Sequence, residues 1–311
     1  MEKNKTKQWQ AEYALSPVQA HSLIEKQFPQ LLPINLEPLG DGWDNTAFYV
    51  NKAFVFRFPR RHMAVKWLEN ENLILPKIYN KVTLPIPLPL FIGKPCNNFP
   101  CPFSGYAIIP GITACRAGLS KKKRIELAAT IAEFLKSLHS ISAANASSFG
   151  AEPDQLGRFD IAKRKVKLFE YISWLEQKGV INNVAVIKAM LESAAIEPGK
   201  VRETLVHGDF YCRHLLVDSI GGASGIIDWG DIHIGNPAID ISIAPGFLPA
   251  EGQQIFRDVY GDIDEDTWRL ARFRALSTAI ILLAYGSDLN DNFLIKEASL
   301  SLKNLLNVRI T

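Results

Sequence analysis

The amino-acid sequence predicts an α+β protein of two lobes, the first built on β-strands and the second mostly helical. Residues 34–58 alternate in the manner of strands between turn signals, which predicts three strands of an antiparallel sheet. From residue 120 onward, apolar residues recur at helical spacing over several long segments. A short group of strands returns between residues 204 and 228. Strands early in the chain and helices later, with one returning hairpin, favour the α+β class.

The first lobe is predicted to begin with a helix. The serine-proline pair at 16–17 is a typical N-cap followed by proline at the first helical position, and the helix is expected to end near residue 28. Three strands follow, separated first by a glycine-containing loop and then by a tight turn. Apolar spacing predicts a second helix over 63–79, and Pro76 is expected to end or kink it.

Two further strands are predicted before the lobe boundary. The proline-rich, extended stretch at 84–93 leads into one of them. The segment 104–111 forms the other, until Pro110-Gly111 stops it. We place the boundary there, so that residues 1–110 form an N-terminal lobe and residues 111–311 form a C-terminal lobe.

The second lobe is predicted to be helical on both sides of its short strands. Ser120 is a typical N-cap for a helix that runs to about His139. Two more helices are expected at 160–178 and 183–194, because their apolar residues share one face. The stretch 251–306 predicts two or three further helices.

Composition narrows the class of protein. The chain has 311 residues, of which 47% are apolar, and this is typical of a globular protein rather than a disordered one. A net charge of +3 is too small to indicate a nucleic-acid partner. The N-terminus lacks an apolar signal region, and no apolar run approaches the length of a membrane span. We therefore expect no membrane partner. The four cysteines fit neither a zinc pair nor a disulfide framework, so we expect a reduced, cytoplasmic protein.

Residues 205–228 hold the densest group of chemically useful side chains. Asp209 follows an apolar strand and His207-Gly208, so it is expected on a loop, where its carboxylate can accept a hydrogen bond from a substrate hydroxyl. Asp228 ends a second apolar strand and offers the hard oxygen ligand that Mg²⁺ prefers. His214 is five residues after Asp209, close enough to reach the same metal or a phosphate. Two such carboxylates are what phosphoryl transfer needs. Taken singly, each Asp also fits an ordinary turn.

This stretch resembles the catalytic and metal-binding loops of the aminoglycoside and macrolide phosphotransferases, which are antibiotic kinases with a protein-kinase-like fold. The shared pattern is HGD, four residues, Asn or His, a short apolar strand, a turn, and an apolar strand that ends in Asp. The resemblance continues through 234–240, where Asn236 replaces a usual Asp and Asp240 is retained. It implies a two-lobed kinase-like fold, Asp209 as the catalytic carboxylate, Asp228 and His214 as metal ligands, and Asp240 as a brace for the catalytic loop.

The loop between the first two strands is similar to the glycine-rich loop that covers nucleotide phosphates in kinases. Gly40 and Gly42 would let its backbone N–H groups approach the phosphates. Asn45 stands where protein kinases have a third glycine. The two glycines alone fit a plain hairpin turn equally well.

The third strand, FVFRFP, is expected to contribute to the same nucleotide site. Its alternation places Val55 and Arg57 on one face and the phenylalanines on the other. The resemblance implies that Val55 contacts the purine ring and that Arg57, in place of the usual lysine, holds the α- and β-phosphates with Glu71 as its partner. The alternatives are an exposed strand arginine and a solvated helix glutamate, with Lys66 as a rival phosphate ligand.

The segment that joins the two lobes resembles the lobe linker of these kinases, whose backbone pairs with the purine edge of the nucleotide. Its residues are Ala107, Ile108 and Ile109. The same residues also fit a strand that simply ends at a Pro-Gly turn.

Some reactive residues receive no catalytic role. Cys212 lies inside the predicted catalytic loop, but no cysteine–histidine signature accompanies it, so we do not predict a nucleophile. Four histidines have no recognisable partner and are expected at the surface or at caps: His21, His62, His139 and His233.

The sequence therefore predicts a small-molecule O-phosphotransferase. It would move the γ-phosphoryl group of ATP or GTP, with Mg²⁺ or alternatively Mn²⁺, to a hydroxyl group of an aminoglycoside- or macrolide-like acceptor. One alternative is a metabolic kinase that acts on choline, a sugar or an amino alcohol, and another is a nucleotide-binding pseudokinase. Acidic residues between 258 and 266 either line a cleft for a cationic acceptor or cap the next helix.

Overall fold

The structure is a computed structural model that describes residues 11–42, 44–182, 184–193 and 202–306. The chain divides into two compact units. The first contains the described residues up to Asn80, together with Ile86–Ile109 and Trp229–Asp231. The second contains Lys81–Pro85 and the described parts of Pro110–Asp228 and of the chain from Ile232 onward.

The first unit is an antiparallel sheet with two helices. Ser16 caps the first helix through a reciprocal capping box with Gln19, as its position before Pro17 predicts. The strand order in the sheet is β1-β2-β3-β5-β4. The elements are α1 (Pro17–Gln27), β1 (Leu36–Asp41), β2 (Asn45–Val50), β3 (Phe54–Pro59), α2 (His62–Ile78), β4 (Pro89–Gly93) and β5 (Phe103–Ala107).

Aromatic packing on one face of this sheet determines which side chains of β3 are buried in the apolar cluster. Phe56 and Phe58 are fully buried in an apolar cluster with Phe28 and Phe103, and the rings of Phe58 and Phe103 stack at 4.6 Å. Gly105 is needed beside them, because a Cβ at that position would lie 2.6 Å from the Phe56 ring. Burying a phenylalanine contributes about 2–3 kcal/mol. The alternation of β3 therefore places Val55 and Arg57 on the opposite face.

The proline inside α2 does not end the helix. The helix continues past Pro76 to Ile78, within one residue of the predicted end. Its first turns bury Ala64 and Leu68, and the following turn buries Glu71. The Glu71 side chain therefore lies in the interior and not in solvent.

The second unit combines helices with short strands, as the sequence predicts. The predicted helices at 120–139 and 160–178 are present within one residue at each end, and the helix predicted at 183–194 is present as Val184–Ser193, with positions 183 and 194 outside the described residues. The elements are β6 (Ile112–Thr113), α3 (Lys121–His139), α4 (Ala143–Ser148), α5 (Ile161–Gln177), α6 (Val184–Ser193), β7 (Thr204–Val206), β8 (Leu215–Val217), β9 (Ala223–Ile226), β10 (His233–Gly235), α7 (Ala238–Ile241), α8 (Ile243–Phe247), α9 (Ala250–Tyr260), α10 (Glu265–Leu289) and α11 (Asn292–Leu306).

The strands of the second unit form two small sheets that carry the motif-bearing loops. Strands β6, β8 and β9 form one sheet, and β7 pairs with β10 in the other. Helices α5, α6, α10 and α11 share an apolar core that includes Leu175, Leu276 and Leu283. No helix in the described ranges combines the length and the apolar character needed to cross a membrane.

Candidate active site

The β8–β9 hairpin brings the two ends of the sequence motif together. His214 immediately precedes β8 and Asp228 lies two residues after β9. The antiparallel register pairs Leu215 with Ile226, and the N–H of Ile227 donates to the carbonyl of His214 at 3.0 Å. Residues 14 apart in sequence therefore lie side by side because of hairpin pairing.

His214 joins the catalytic loop to Asp228. Its Nδ1 is 2.7 Å from the carbonyl oxygen of Asp209, and its Nε2 is 3.2 Å from Oδ2 of Asp228. A carbonyl only accepts, so Nδ1 carries the proton and the second nitrogen faces a carboxylate oxygen. Burial alone would lower the pKa of His214, but the adjacent charge and hydrogen bond of Asp228 outweigh it and raise the pKa. Nε2 of His214 and Oδ2 of Asp228 face each other, so either a proton or a metal cation can lie between these two atoms.

Asp228 is held in an unusual backbone conformation. Its φ of 65° lies in the left-handed region, which costs a non-glycine residue roughly 1–2 kcal/mol. Its side chain remains 48% exposed, although His214 beside it is buried. The carboxylate thus keeps an accessible side, as a metal ligand requires. Among the described residues, no group of three or more Cys, His, Asp or Glu side chains could hold a metal by itself.

The carboxylate of Asp209 is held by an arginine that no sequence motif predicts. Nη2 of Arg274, on α10, donates to Oδ1 of Asp209 at 3.0 Å. The arginine side chain is 12% exposed and the aspartate side chain 30%. The two residues are 65 positions apart, and no local motif marks the arginine among its neighbours on the helix.

Asp240 braces the loop of the HGD motif through hydrogen bonds, as the resemblance implies. Its two carboxylate oxygens accept hydrogen bonds from the backbone N–H groups of His207 at 2.7 Å and Gly208 at 2.9 Å. Oδ2 also lies 3.2 Å from Nε2 of His139, whose Nδ1 is 2.8 Å from the hydroxyl of Tyr260. Burial would raise the pKa of Asp240, but the hydrogen bond and charge of His139 outweigh it and lower the pKa.

Two of the histidine predictions were wrong. His139 is 1% exposed and His233 is 6% exposed, so neither lies at the surface. His139 is part of the network around Asp240, and the register of β7 and β10 pairs His233 with Val206. Sequence spacing offered no sign of either arrangement, because their partners come from distant parts of the chain.

His207 is a second brace between the loop and the strand end. Its Nε2 lies 3.1 Å from the carbonyl of Ile227, and its Nδ1 accepts from the N–H of Asp209 at 3.3 Å. This arrangement suits a neutral ring, and burial lowers the pKa of His207. The histidine of the HGD motif therefore fixes the backbone on both sides of the site.

In the first unit, the predicted pair of Arg57 and Glu71 is present and buried. Nη1 of Arg57 lies 2.7 Å and 3.0 Å from the two carboxylate oxygens of Glu71. The residues are 8% and 4% exposed, which excludes both the exposed strand arginine and the solvated helix glutamate. Val55, on the same face of β3, is also buried. The rival Lys66 is exposed on α2.

The glycine-containing loop forms a hairpin turn in this structure. The N–H of Gly42 donates to the carbonyl of Asn45 at 2.9 Å, so in this conformation it serves the hairpin and not a phosphate. Gly40 has a φ of 145°, which requires glycine, and open space surrounds its Cβ position. Oδ1 of Asn45 is buried and has no hydrogen-bond partner among the described residues. Position 43 of this loop lies outside the described residues.

The hinge segment divides its backbone groups between two directions. The N–H of Ile108 donates to the carbonyl of Ala53 at 2.8 Å and thus extends the β3–β5 pairing. Because successive residues of a paired strand point to opposite sides, the carbonyl of Ala107, the last residue of β5, faces away from β3. The N–H of Ile108 therefore serves the sheet in this structure.

The acidic stretch near the end of α9 serves a local purpose. Asp264 caps α10 through the N–H of Thr267 at 2.8 Å. Arg257 pairs with Glu265, and Arg269 pairs with Asp266. These contacts agree with the capping alternative.

Comparisons with known proteins identify the family. A sequence model of the "Phosphotransferase enzyme family" matches residues 35–275. The GDP complex of an aminoglycoside 2'-phosphotransferase-IIIa is similar, with 24% identity over 94% of this chain and 99% of that chain and a TM-score of 0.68. The streptomycin-ATP-APH(2")-IIa ternary complex has 23% identity over 94% and 97%, with a TM-score of 0.58. A macrolide 2'-phosphotransferase type I has 20% identity over 93% and 98%, with a TM-score of 0.57.

These similarities confirm the predicted fold class, an N-terminal antiparallel sheet followed by a helical part with the kinase-like fold of aminoglycoside phosphotransferases. The matched region contains the HGD loop, the strand end at Asp228 and the Arg57–Glu71 pair. Since it spans well over half of the sequence, the chain is a phosphotransferase and belongs to the phosphotransferase enzyme family.

Proposed function

We propose that this phosphotransferase moves the γ-phosphoryl group of Mg-ATP or Mg-GTP to a hydroxyl group of a small molecule. The observation that carries the proposal is the joined arrangement of Asp209, His214 and Asp228. Phosphoryl transfer depends on positioning a hydroxyl and on neutralising phosphate charge, with little covalent chemistry for the protein. An oriented carboxylate beside a second, accessible carboxylate suits both tasks.

Asp209 would accept the hydrogen bond of the acceptor hydroxyl and orient its oxygen for attack. The carboxylate remains partly exposed, Arg274 holds Oδ1, and Oδ2 lies 3.8 Å from Nδ1 of His214. Its backbone is fixed independently through His207 and His214. Fixed geometry of this kind lowers the entropic cost of reaching a reactive arrangement.

Asp228 and His214 would hold the metal ion. The donor set fits Mg²⁺ in a nucleotide complex, because Mg²⁺ commonly uses one or two carboxylates and completes its shell with water and phosphate oxygens. When bound, the ion supplies charge neutralisation on the phosphates. His214 Nε2, facing Asp228 Oδ2 at 3.2 Å, is the nitrogen that could join the shell, with Mn²⁺ as a possible replacement for Mg²⁺.

Arg57 would bind the α- and β-phosphates, with Glu71 fixing its guanidinium. Arginine presents its N–H donors in a planar fork that matches phosphate oxygens, and Glu71 holds Nη1 of that fork in place. Val55 and the backbone of Ala107 and Ile109 would contact the purine. Gly40 and Asn45 would border the phosphates, and Gly42 would do so only after its N–H is released from the hairpin.

For the acceptor, we propose an aminoglycoside- or macrolide-like hydroxyl compound. Support comes from structural neighbours that are aminoglycoside and macrolide phosphotransferases, one of them in complex with streptomycin and ATP. A metabolic hydroxyl compound such as choline, a sugar or an amino alcohol is the alternative. We also expect action in the cytoplasm, where free cysteines such as the four of this chain stay reduced.

Transfer assays with wild-type protein and Asp209→Asn test the proposal. Each protein receives Mg-ATP or Mg-GTP and, in turn, streptomycin, a macrolide, choline, an amino alcohol or a sugar. We expect one acceptor class to raise release of nucleoside diphosphate in the wild type only, with a phosphorylated product found by mass spectrometry. Slow hydrolysis without an acceptor, in which water replaces the hydroxyl, provides a readout that does not depend on guessing the acceptor.

Two results would overturn the proposal. One is Mg-nucleotide binding with hydrolysis that is equal in the wild type and Asp209→Asn, which would support the pseudokinase alternative. The other is an absence of Mg-nucleotide binding in calorimetry. Asp262→Asn, a change at an exposed aspartate, is the matched control for loss of one charge.

A further inference from the structure

A buried triad of polar side chains in the second unit ends on the loop of the HGD motif. The hydroxyl of Tyr260, the last residue of α9, lies 2.8 Å from Nδ1 of His139, the last residue of α3. Nε2 of the same ring lies 3.2 Å from Oδ2 of Asp240, on α7. The three residues are 9%, 1% and 0% exposed, so water hardly competes for these contacts. The roles proposed above leave His139 and Tyr260 without a task.

The donors and acceptors of the triad are satisfied in one direction. Nε2 of His139 faces the ionised carboxylate of Asp240, which only accepts, so this nitrogen carries a proton. Within the described part of the chain, the hydroxyl of Tyr260 meets no second hydrogen-bond partner, so its hydrogen is satisfied by donation to Nδ1. Burial raises the pKa of Tyr260, so the hydroxyl keeps this hydrogen. The geometry therefore favours a ring with its proton on Nε2 and none on Nδ1.

The far end of the triad holds two consecutive backbone N–H groups of the catalytic loop. Oδ2 of Asp240, which faces His139, also accepts from the N–H of His207 at 2.7 Å, while Oδ1 accepts from the N–H of Gly208 at 2.9 Å. The loop turns at this point, because Gly208 has a φ of 87°. A rotation of the carboxylate plane would release one of these N–H groups and move Asp209, the next residue.

Helix packing holds the outer members of the triad independently of the loop. The ring of Tyr260 stacks on Phe256 with 5.7 Å between the centroids and 11° between the planes. Nζ of Lys136, on α3, donates to the carbonyl of Val259, on α9, at 3.1 Å, and this contact joins the helices that carry His139 and Tyr260. The donor that reaches the carboxylate is therefore placed by packed helices before the loop is ordered.

We propose that His139 is a positioning residue for phosphoryl transfer and that Tyr260 keeps the imidazole ring in the required orientation. The ring holds the plane of the Asp240 carboxylate, and the carboxylate holds the backbone that places Asp209. Both residues act through Asp240, and their effect on transfer rests on the role proposed above for Asp209.

The first experiment uses the full-length protein and measures no activity. NMR of the isotope-labelled wild type at pH 7 should show a proton on Nε2 of His139 and a bare Nδ1, and Tyr260→Phe should shift this signal. Amide exchange at positions 207 and 208 should be about tenfold faster in His139→Phe and about threefold faster in Tyr260→Phe, since each variant loses one hydrogen bond of the triad. Tyr79→Phe removes a hydroxyl from an exposed tyrosine of the first unit and should exchange like the wild type.

The second experiment measures hydrolysis of Mg-ATP and Mg-GTP without an acceptor. His139→Phe should lower kcat by about 10–100-fold, the scale expected for a small displacement of a reacting group, and should leave KM within about twofold. Tyr260→Phe should lower kcat by about threefold. His139→Gln should recover part of the loss, because its amide can donate to Asp240 and phenylalanine cannot. A purely structural role would lower the free energy of unfolding in these variants and leave kcat per folded molecule unchanged.

Three results would overturn the proposal: a His139 ring with its proton on Nδ1, amide exchange at positions 207 and 208 that is the same in the wild type and His139→Phe, or an unchanged kcat in His139→Phe when Asp209→Asn is slow. If His139→Phe fails to fold, the wild-type ring and Tyr260→Phe still decide. Wild-type turnover in Asp209→Asn would instead contradict the role proposed for Asp209, and amide exchange would still show whether the triad holds the loop.

Discussion

Arg274 donates a hydrogen bond to Asp209 with 3.0 Å between Nη2 and Oδ1, and this contact ties the middle of α10 to the loop of the HGD motif. The arginine is mostly buried, so its position is set by helix packing and not by solvent. It neutralises part of the aspartate charge and fixes the rotation of the carboxylate. Orientation of the acceptor hydroxyl, more than strong proton abstraction, is therefore the task that this geometry suits.

Replacing Arg274 should impair turnover without preventing nucleotide binding. Arg274→Ala is expected to lower kcat about tenfold, the equivalent of about 1.4 kcal/mol of lost positioning. Arg274→Lys should recover part of the loss, since it restores the charge but not the planar fork. Steady-state kinetics with both substrates measures this. Arg269→Ala, on an exposed position of the same helix, is the control, and an unchanged kcat in Arg274→Ala would remove Arg274 from the site.

Asp209→Asn should lower turnover by roughly 10²–10⁴-fold, the range for a positioned general base, while nucleotide affinity stays close to that of the wild type. The amide can still accept a hydrogen bond from Arg274, so the loop should keep its shape. Single-turnover kinetics and calorimetry measure the two effects separately. Near-normal turnover with an accepted substrate would show that Asp209 has no direct part in transfer.

Arg57→Ala should weaken the binding of a nucleoside triphosphate by about 30-fold, or about 2 kcal/mol. Binding of the matching nucleoside should change very little, because only charge-assisted contacts to phosphate are lost. The change leaves Glu71 as a buried charge without this partner, which can cost about 3–5 kcal/mol of stability. The double variant Arg57→Ala with Glu71→Gln separates the two effects. Lys66→Ala is the control on the rival lysine. Equal weakening of both ligands would indicate a folding defect.

Asp228→Ala should abolish the effect of Mg²⁺ on nucleotide affinity and leave binding of the metal-free nucleotide intact. His214→Asn should retain activity but shift the metal preference toward Mg²⁺, because Mg²⁺ prefers oxygen ligands and imidazole suits softer ions. Calorimetry and activity with Mg²⁺ and Mn²⁺ test both changes. If His214→Asn has the metal preference of the wild type, His214 acts only as a brace between Asp209 and Asp228.

Asp240→Asn should destabilise the protein by about 3 kcal/mol at pH 7, since the amide nitrogen would face N–H donors in a buried site. The pKa of Asp240 is lowered in the folded protein, so its ionised form stabilises the fold above its ordinary pKa. That contribution is lost as the pH falls through the lowered value. Urea unfolding measured from pH 7 down to about pH 3.5 should therefore show that the difference in free energy of unfolding between wild type and variant narrows below about pH 4. A gap that stays constant over this range would contradict the role of Asp240.

Local patterns in the sequence determined the elements and the positions of the main site residues. Ser16 with Pro17 predicted the start of α1, and strand alternation predicted that Arg57 lies opposite the buried phenylalanines. The HGD pattern and the apolar strand before Asp228 located both carboxylates within one hairpin system. Capping, alternation and hairpin register are short-range effects, so neighbouring residues are enough to reveal them.

The tertiary structure alone decided which distant groups complete the site. Arg274 reaches Asp209 from 65 positions away, and His139 is a buried partner of Asp240. It also decided that the N–H of Gly42 serves its own hairpin. Hydrogen bonds and ion pairs of this kind depend on how helices and strands pack, and packing brings together residues whose spacing in the sequence has no period to read.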